Sequence, residues 1–186
     1  DARIDGVLSQ KISEHGNMTP ILAGLCEPDM AKRIISKVFE SGGEMKFTES
    51  QPFYMAVVLP ALVRAGRMDL ALDLIRRRWG TRMVKKGATS TYEEWYMNGT
   101  CRRDKFMGTL RSCSHAWSAC PADFLIREML GVRVVEAGCK TVKISPKKTD
   151  FDYHITFPTP KGLISADCVK GEIKISTTGA IRIVED

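Results

Sequence analysis

The 186-residue sequence predicts an α+β chain in two parts: helical hairpins first, then a small antiparallel β-sandwich. Two patterns carry that expectation. Apolar residues recur at helical spacing through the first two-thirds, and after Gly131 they alternate with a period of two. A third observation bounds the class. Apolar and charged residues make up 44% and 27% of the chain, close to the globular average and far from a disordered composition.

Taken in order, Pro28 opens a helix whose Met30, Ala31, Ile34, Ile35 and Val38 share a face, and Gly42-Gly43 stops it. Phe53 to Ala65 forms a second helix ending at Gly66, with Pro60 expected to kink or break it. Asp69 leads into a third, carrying Leu70, Ala71, Leu74, Ile75 and Trp79 and ending at Gly80. The short link Gly66-Arg67-Met68 makes these two an αα-hairpin.

From Thr81 to Ser114 no helical period holds, and a loop this long is usually functional or disordered. A last helix covers about Trp117 to Leu130, with Pro121 in its first turns and Phe124, Leu125 and Met129 turned inward. Strands are then expected at 141–144, 153–157, 163–166, 172–175 and 181–184, joined by turns at Pro160-Lys161-Gly162 and Thr177-Thr178-Gly179. The boundary falls between a helical part, 1–131, and a β part, 132–186.

The net charge of +6 gathers at Arg76-Arg77-Arg78, Lys85-Lys86 and Arg102-Arg103-Lys105. No nucleic-acid motif accompanies it, so the run reads as the solvated end of an amphipathic helix, and no nucleic-acid partner is expected. No apolar run approaches the roughly 18–20 residues of a membrane span, so no membrane is expected either. The start, Asp1-Ala2-Arg3-Ile4-Asp5, has no initiator Met and no apolar leader, which suggests a processed chain or a piece of a larger one.

The six cysteines contain no Cys-x-x-Cys pair. A disulfide framework is possible but not implied in a chain of this size; mostly buried free thiols are the default expectation, with neither zinc nor any other cofactor. Asn98-Gly99-Thr100 matches a glycosylation acceptor, a pattern short enough to recur by chance.

Chemistry is most concentrated at Tyr92-Glu93-Glu94-Trp95 and Ser114-His115-Ala116-Trp117-Ser118. A carboxylate beside an aromatic ring can serve as general base toward water, and a ring face suits the C–H face of a sugar. The plainer alternatives stay open here. An adjacent Glu pair is commonly one solvated and one salt-bridged residue, His115 could be structural, and tryptophans bury area wherever they occur.

The segment Gly87-Ala88-Thr89-Ser90-Thr91-Tyr92-Glu93-Glu94-Trp95 resembles the Gly-Ala-Thr-Thr-x-Trp-Glu-x-Trp segment of bacterial α-L-rhamnosidases. Matches flank it in order. Ala65 to Ile75 with Arg78-Trp79-Gly80 is similar to the hairpin before that segment, and Ser114 to Pro121 with Leu130-Gly131-Val132 to the last barrel helix. Thr159-Pro160-Lys161-Gly162-Leu163-Ile164 resembles a sandwich turn, and His15-Gly16-Asn17 with Ala23-Gly24-Leu25 an earlier helix.

The resemblance implies the last hairpins of an (α/α)6 barrel (a six-hairpin glycosidase toroid, incomplete here) and its C-terminal β-sandwich. It implies an inverting hydrolase acting on rhamnose-containing glycosides or oligosaccharides, with Glu93 as general base, His115 binding sugar, and Trp95 and Trp117 near the pocket. Tyr92 departs from the family's Trp. No segment matches the family's general acid; Asp1, Asp5 and Glu14 are not in that motif. The chain alone is therefore expected to be inactive without the N-terminal remainder of the same enzyme. Another (α/α)6 glycosidase of different sugar specificity, or a carbohydrate-binding protein without catalysis, would share these features.

Overall fold

A computed structural model describes residues 3–8, 12–40, 47–96, 105–106 and 109–184. The chain forms two compact units, residues 1–121 and 122–186. Gly42-Gly43, Asn98-Gly99-Thr100, Cys101 and Arg102-Arg103 lie outside the described residues.

In the first unit, β1 (Arg3–Ile4) and β2 (Val7–Leu8) make a minimal hairpin, and β3 (Ile12–Ser13) pairs in parallel with β4 (Phe47–Thr48). Helix α1 (Glu14–Leu22) begins at Ser13, whose Oγ accepts the Gly16 N–H at 3.2 Å and so satisfies one of the orphan donors of the first turn. Helix α2 (Pro28–Ile35) starts on Pro28, where the missing N–H costs nothing, and continues as a π turn over Ser36–Glu40.

A 3-10 turn at Pro52–Tyr54 leads into α3 (Met55–Arg64), which packs against α1 and against α4 (Met68–Ile75). Met18, Ile21, Met55, Val58, Leu59, Leu62 and Leu74 are all buried on these helices. Helix α3 continues through Pro60 to Arg64 rather than stopping there, although a proline removes one ladder hydrogen bond. Helix α4 likewise passes Gly80, in a π turn over Arg76–Thr81.

The α3–α4 link closes as a Schellman motif. Gly66 sits at φ 78°, its N–H bonds the Val63 carbonyl at 2.9 Å, and the Arg67 N–H reaches back to Leu62 at 2.8 Å. Further along come a 3-10 turn at Val84–Lys86, the short strands β5 (Lys105–Phe106) and β6 (Thr109–Leu110), and a 3-10 turn at Ala116–Ala119 that enters α5 (Cys120–Phe124).

The second unit takes a π turn at Leu125–Met129 and six strands: β7 (Arg133–Glu136), β8 (Thr141–Lys143), β9 (Tyr153–Thr159), β10 (Gly162–Val169), β11 (Glu172–Thr177) and β12 (Arg182–Val184). They form two three-stranded sheets, ordered β11-β10-β9 and β12-β8-β7. Val142 of one sheet and Ile164 and Ala166 of the other share a core with Leu130, Val132 and Ile144, which makes the pair a sandwich. Residues 122–131 belong with this unit by packing, since Ile126 and Leu130 join its core.

Among the described residues of this unit all pairings are antiparallel except β8–β12, which is parallel because the chain leaves β11 and crosses to the other sheet before β12 begins. Strand β7 lacks the two-residue alternation of the others, its four residues all being exposed, and so it carries no periodic signal. Among the described residues no helix is long and apolar enough to cross a membrane.

The space beside Gly66 is open, so a methyl group there meets nothing and only the backbone resists it. Gly66→Ala should therefore destabilise the helical unit by about 1–2 kcal/mol, the cost of left-handed backbone for an L-residue, read from the urea midpoint of the helical signal.

Candidate active site

The site rests on a buried ion network that the composition does not advertise. Leu70, Leu74 and Arg78 are spaced four apart, so Arg78 continues the buried stripe of α4 into its π turn. It is 5% exposed. The solvated reading of Arg76-Arg77-Arg78 therefore fails for Arg78, while Arg76 and Arg77 are exposed, Arg77 bonding Asp73 four residues back.

Arg78 grips Glu14 with two nitrogens, Nη1 to Oε2 at 2.9 Å and Nη2 to Oε1 at 2.5 Å, and Oε2 also accepts the Ser50 N–H at 2.9 Å. On its other side Nη2 stands 3.6 Å from Glu49. Arg82, one turn on, holds both Glu49 oxygens, and the Trp95 indole N–H donates to Oε1 at 3.1 Å. Burial alone would push the Glu49 carboxyl up. The Arg82 hydrogen bond, the Arg78 and Arg82 charges and the Trp95 bond outweigh it and hold the group below its ordinary value.

Trp95 ties the 87–95 segment to this network. Its backbone N–H donates to Gln51 Oε1 at 3.0 Å, and its ring meets Trp79 edge-on at 5.1 Å with the Arg82 guanidinium 5.4 Å from its centroid. At 2% exposed it has no free face, so the ring the sequence places near a pocket wall is enclosed instead. Glu94 is the salt-bridged member of the Glu pair, accepting from Arg111 Nε at 2.5 Å.

Glu93 differs. Its segment is laced to the one carrying His115: Ser90 Oγ donates to Cys113 O at 2.5 Å, Thr91 Oγ1 to His115 O at 2.8 Å, His115 N to Thr91 O at 2.8 Å and Glu93 N to Ser112 O at 3.0 Å. The Ser112 N–H in turn donates to Glu93 Oε2 at 2.7 Å. That leaves Oε1 without a partner among the described residues.

His115 caps the turn into α5, with Nδ1 3.1 Å from the Oγ of buried Ser118. Trp117 follows, 64% exposed. Both rings pack on Phe53, at 6.4 and 5.6 Å, and Phe53 continues through Tyr54, at 6.3 Å, to His15, at 4.2 Å from Tyr54. Burial pushes the His15 imidazole below its ordinary value, with the neighbouring Glu14 charge opposing.

The structure thus brings Glu93, His115 and Trp117 onto one pair of laced segments and sends Trp95 inward. Tyr54, Glu49 and Arg82 were not singled out in the sequence, and His15 and Phe53 entered there only as parts of helices. Only the i, i+4 phase of Arg78 and Arg82 on an apolar stripe could have hinted at them.

No family profile and no curated protein sequence matches the chain. Solved structures do. A GH78-family rhamnosidase of Bacillus sp. GL1 superposes with a TM-score of 0.71 at 27% identity, over 98% of this chain and 20% of that one. An α-L-rhamnosidase from Dictyoglumus thermophilum gives 0.66 at 19% identity over 93% of this chain and 20% of that one. A Streptomyces avermitilis α-L-rhamnosidase complexed with L-rhamnose gives 0.64 at 18%, over 89% and 17%. The last two bear on the fold alone. The chain spans about a fifth of the length of these relatives. All three are similar to it in the fold its residue matches imply: a glycoside-hydrolase-related α+β chain of helical hairpins and a small sandwich.

Two outcomes follow from the ion network. Arg78→Met strands Glu14 and should cost about 3–5 kcal/mol, whereas adding Glu14→Met should recover part of that loss; urea unfolding of the four members of the cycle reads it. Because the folded Glu49 carboxyl lies below its ordinary 4.5, its stabilisation is present above that pH and is lost as pH falls further. Glu49→Gln should flatten the acid limb of stability against pH below about 4.5, checked by denaturant midpoints from pH 7 downward.

Proposed function

We propose that this chain is part of an inverting glycoside hydrolase that releases terminal α-L-rhamnose from glycosides or oligosaccharides, with Glu93 as general base. The observation that supports it most is the state of the Glu93 carboxylate: Oε2 is fixed by a main-chain N–H at 2.7 Å and Oε1 has no partner among the described residues. A base needs one oxygen oriented and the other available to a water.

In an inverting reaction the water oxygen bonds the anomeric carbon while the base takes its proton. A carboxylic acid across the ring protonates the glycosidic oxygen as the old C–O bond breaks, the two groups standing roughly 6.5–9.5 Å apart. Glu93 takes the first role. The acid falls to the N-terminal remainder of a longer enzyme. Glu14 is unsuited because both its oxygens are committed to Arg78 and Ser50.

In the tautomer in which His115 Nδ1 accepts from the Ser118 hydroxyl, 3.1 Å away, the ring proton sits on Nε2 and is donated to a sugar hydroxyl. The exposed indole of Trp117 offers a flat face to the sugar's C–H side. Trp95 acts as a positioning residue that holds the segment ahead of which Glu93 sits. Fold does not fix the sugar; rhamnose is favoured because the 27%-identical neighbour is a rhamnosidase.

The test is release from an aryl α-L-rhamnoside by the longer parent enzyme and by its Glu93→Gln variant. The variant should lose about 10²–10⁴-fold in kcat, the usual contribution of a positioned base, with KM little changed. Unchanged kcat would sink the assignment of Glu93. A panel of other aryl glycosides decides the sugar, and this chain by itself should release none.

A further inference from the structure

The rings beside the candidate site do not end at Trp117. We propose that Trp117, Phe53, Tyr54 and His15 form a wall that binds a second, neutral sugar residue, the one carried on the leaving oxygen. The substrate is then an oligosaccharide rather than a simple glycoside. This rests on the reading that His115 and Trp117 receive the terminal sugar.

The wall is assembled from three separate stretches of the helical unit. His15 lies in α1, Phe53 and Tyr54 in the 3-10 turn before α3, and Trp117 in the turn into α5. From Trp117 to His15 successive ring centroids stand 5.6, 6.3 and 4.2 Å apart, with adjoining planes inclined at 54°, 88° and 46°. Tilted contacts of this kind hold rings together. Because the planes turn along the wall, it suits a puckered sugar better than one flat aryl group.

Packing alone does not account for these rings. Trp79 and Trp95 are what a structural pair looks like here: both are buried, and their indole N–H groups donate to Ser118 O and to Glu49. In the wall, His15, Phe53 and Tyr54 are only half-buried and Trp117 is exposed. Neither the Trp117 indole N–H nor the His15 ring nitrogens have a hydrogen-bond partner among the described residues.

Tyr54 adds an acceptor. The single proton of the Thr19 hydroxyl goes to the His15 carbonyl at 2.7 Å, so at 2.5 Å the Tyr54 hydroxyl donates to Thr19. Its phenolic oxygen is left free to accept. Ring faces with open donor and acceptor edges match a sugar, which offers C–H faces and hydroxyl edges in turn. Burial disfavours the His15 cation, which favours a neutral ligand over an anion.

Fluorescence titration of the 186-residue chain tests this and reads Trp117, since Trp79 and Trp95 are buried. The probes are methyl α-L-rhamnoside, phenyl α-L-rhamnoside and the methyl glycoside of a rhamnosyl-glucose disaccharide. The disaccharide should bind about tenfold tighter than methyl rhamnoside, from ring contact and one hydrogen bond. Tyr54→Ala should erase that advantage and leave methyl rhamnoside within about twofold. Tyr54→Phe keeps the ring, guards against a misfolded alanine variant, and should lose about threefold on the disaccharide alone. Equal affinity for the two rhamnosides of different length, no saturation below about 10 mM, an unchanged Tyr54→Phe, or phenyl rhamnoside binding tightest would overturn the proposal. No bond breaks in this titration. If Glu93→Gln keeps full kcat while the disaccharide advantage depends on Tyr54, the general-base assignment fails and the wall stands; the reverse result sinks the wall alone.

Discussion

Arg78 is the residue on which the helical unit turns. A guanidinium that is nearly solvent-free survives only if its charge and donors are met, and here Glu14 and Glu49 meet them from two different parts of the chain. The start of α1, the segment after β4 and the π turn beyond α4 are therefore mutually dependent. None can be placed without the others. Apolar packing among α1, α3 and α4 brings these segments near one another, but it is nondirectional. The paired charges set their register.

From that centre, order passes outward through specific bonds. Arg82 and Trp95 share Glu49, so the loop reaching Glu93 is anchored to the core at one end. At its other side it is laced by main-chain and hydroxyl hydrogen bonds to the segment before α5. Loop sequence alone supplies little conformational preference, and the position of Glu93 derives from what is buried beneath it. The β unit is organised differently: a compact apolar core between two sheets, with its charges kept on the rim.

This difference explains what could be read beforehand. Helices α2 to α5, the αα-hairpin at Gly66 and the last five strands were legible because each expresses a hydrophobic period or a turn residue. Strand β7 was not, since Arg133-Val134-Val135-Glu136 lies at a sheet edge with both faces exposed. Glu93, His115 and Trp117 were singled out through an ordered resemblance, and in the fold they lie on two segments laced by hydrogen bonds. It misplaced Trp95 because an aromatic beside carboxylates looks the same whether its indole N–H faces solvent or a buried Glu49. Glu14, Glu49 and Arg82 stayed invisible. Charges as far apart along the chain as Glu14 and Arg78, 64 residues, leave no local pattern.

The bond between the Ser112 N–H and the Glu93 carboxylate has a consequence for variation. Its donor is main chain, so the side chain at position 112 is not what orients the carboxylate. Substitutions at 112 that keep the chain path leave the bond intact, whereas proline there would remove the donor outright. The aim of Glu93 is thus stored in the route of the backbone, and the Ser112 hydroxyl bears on it only through the turn it ties to Ser114.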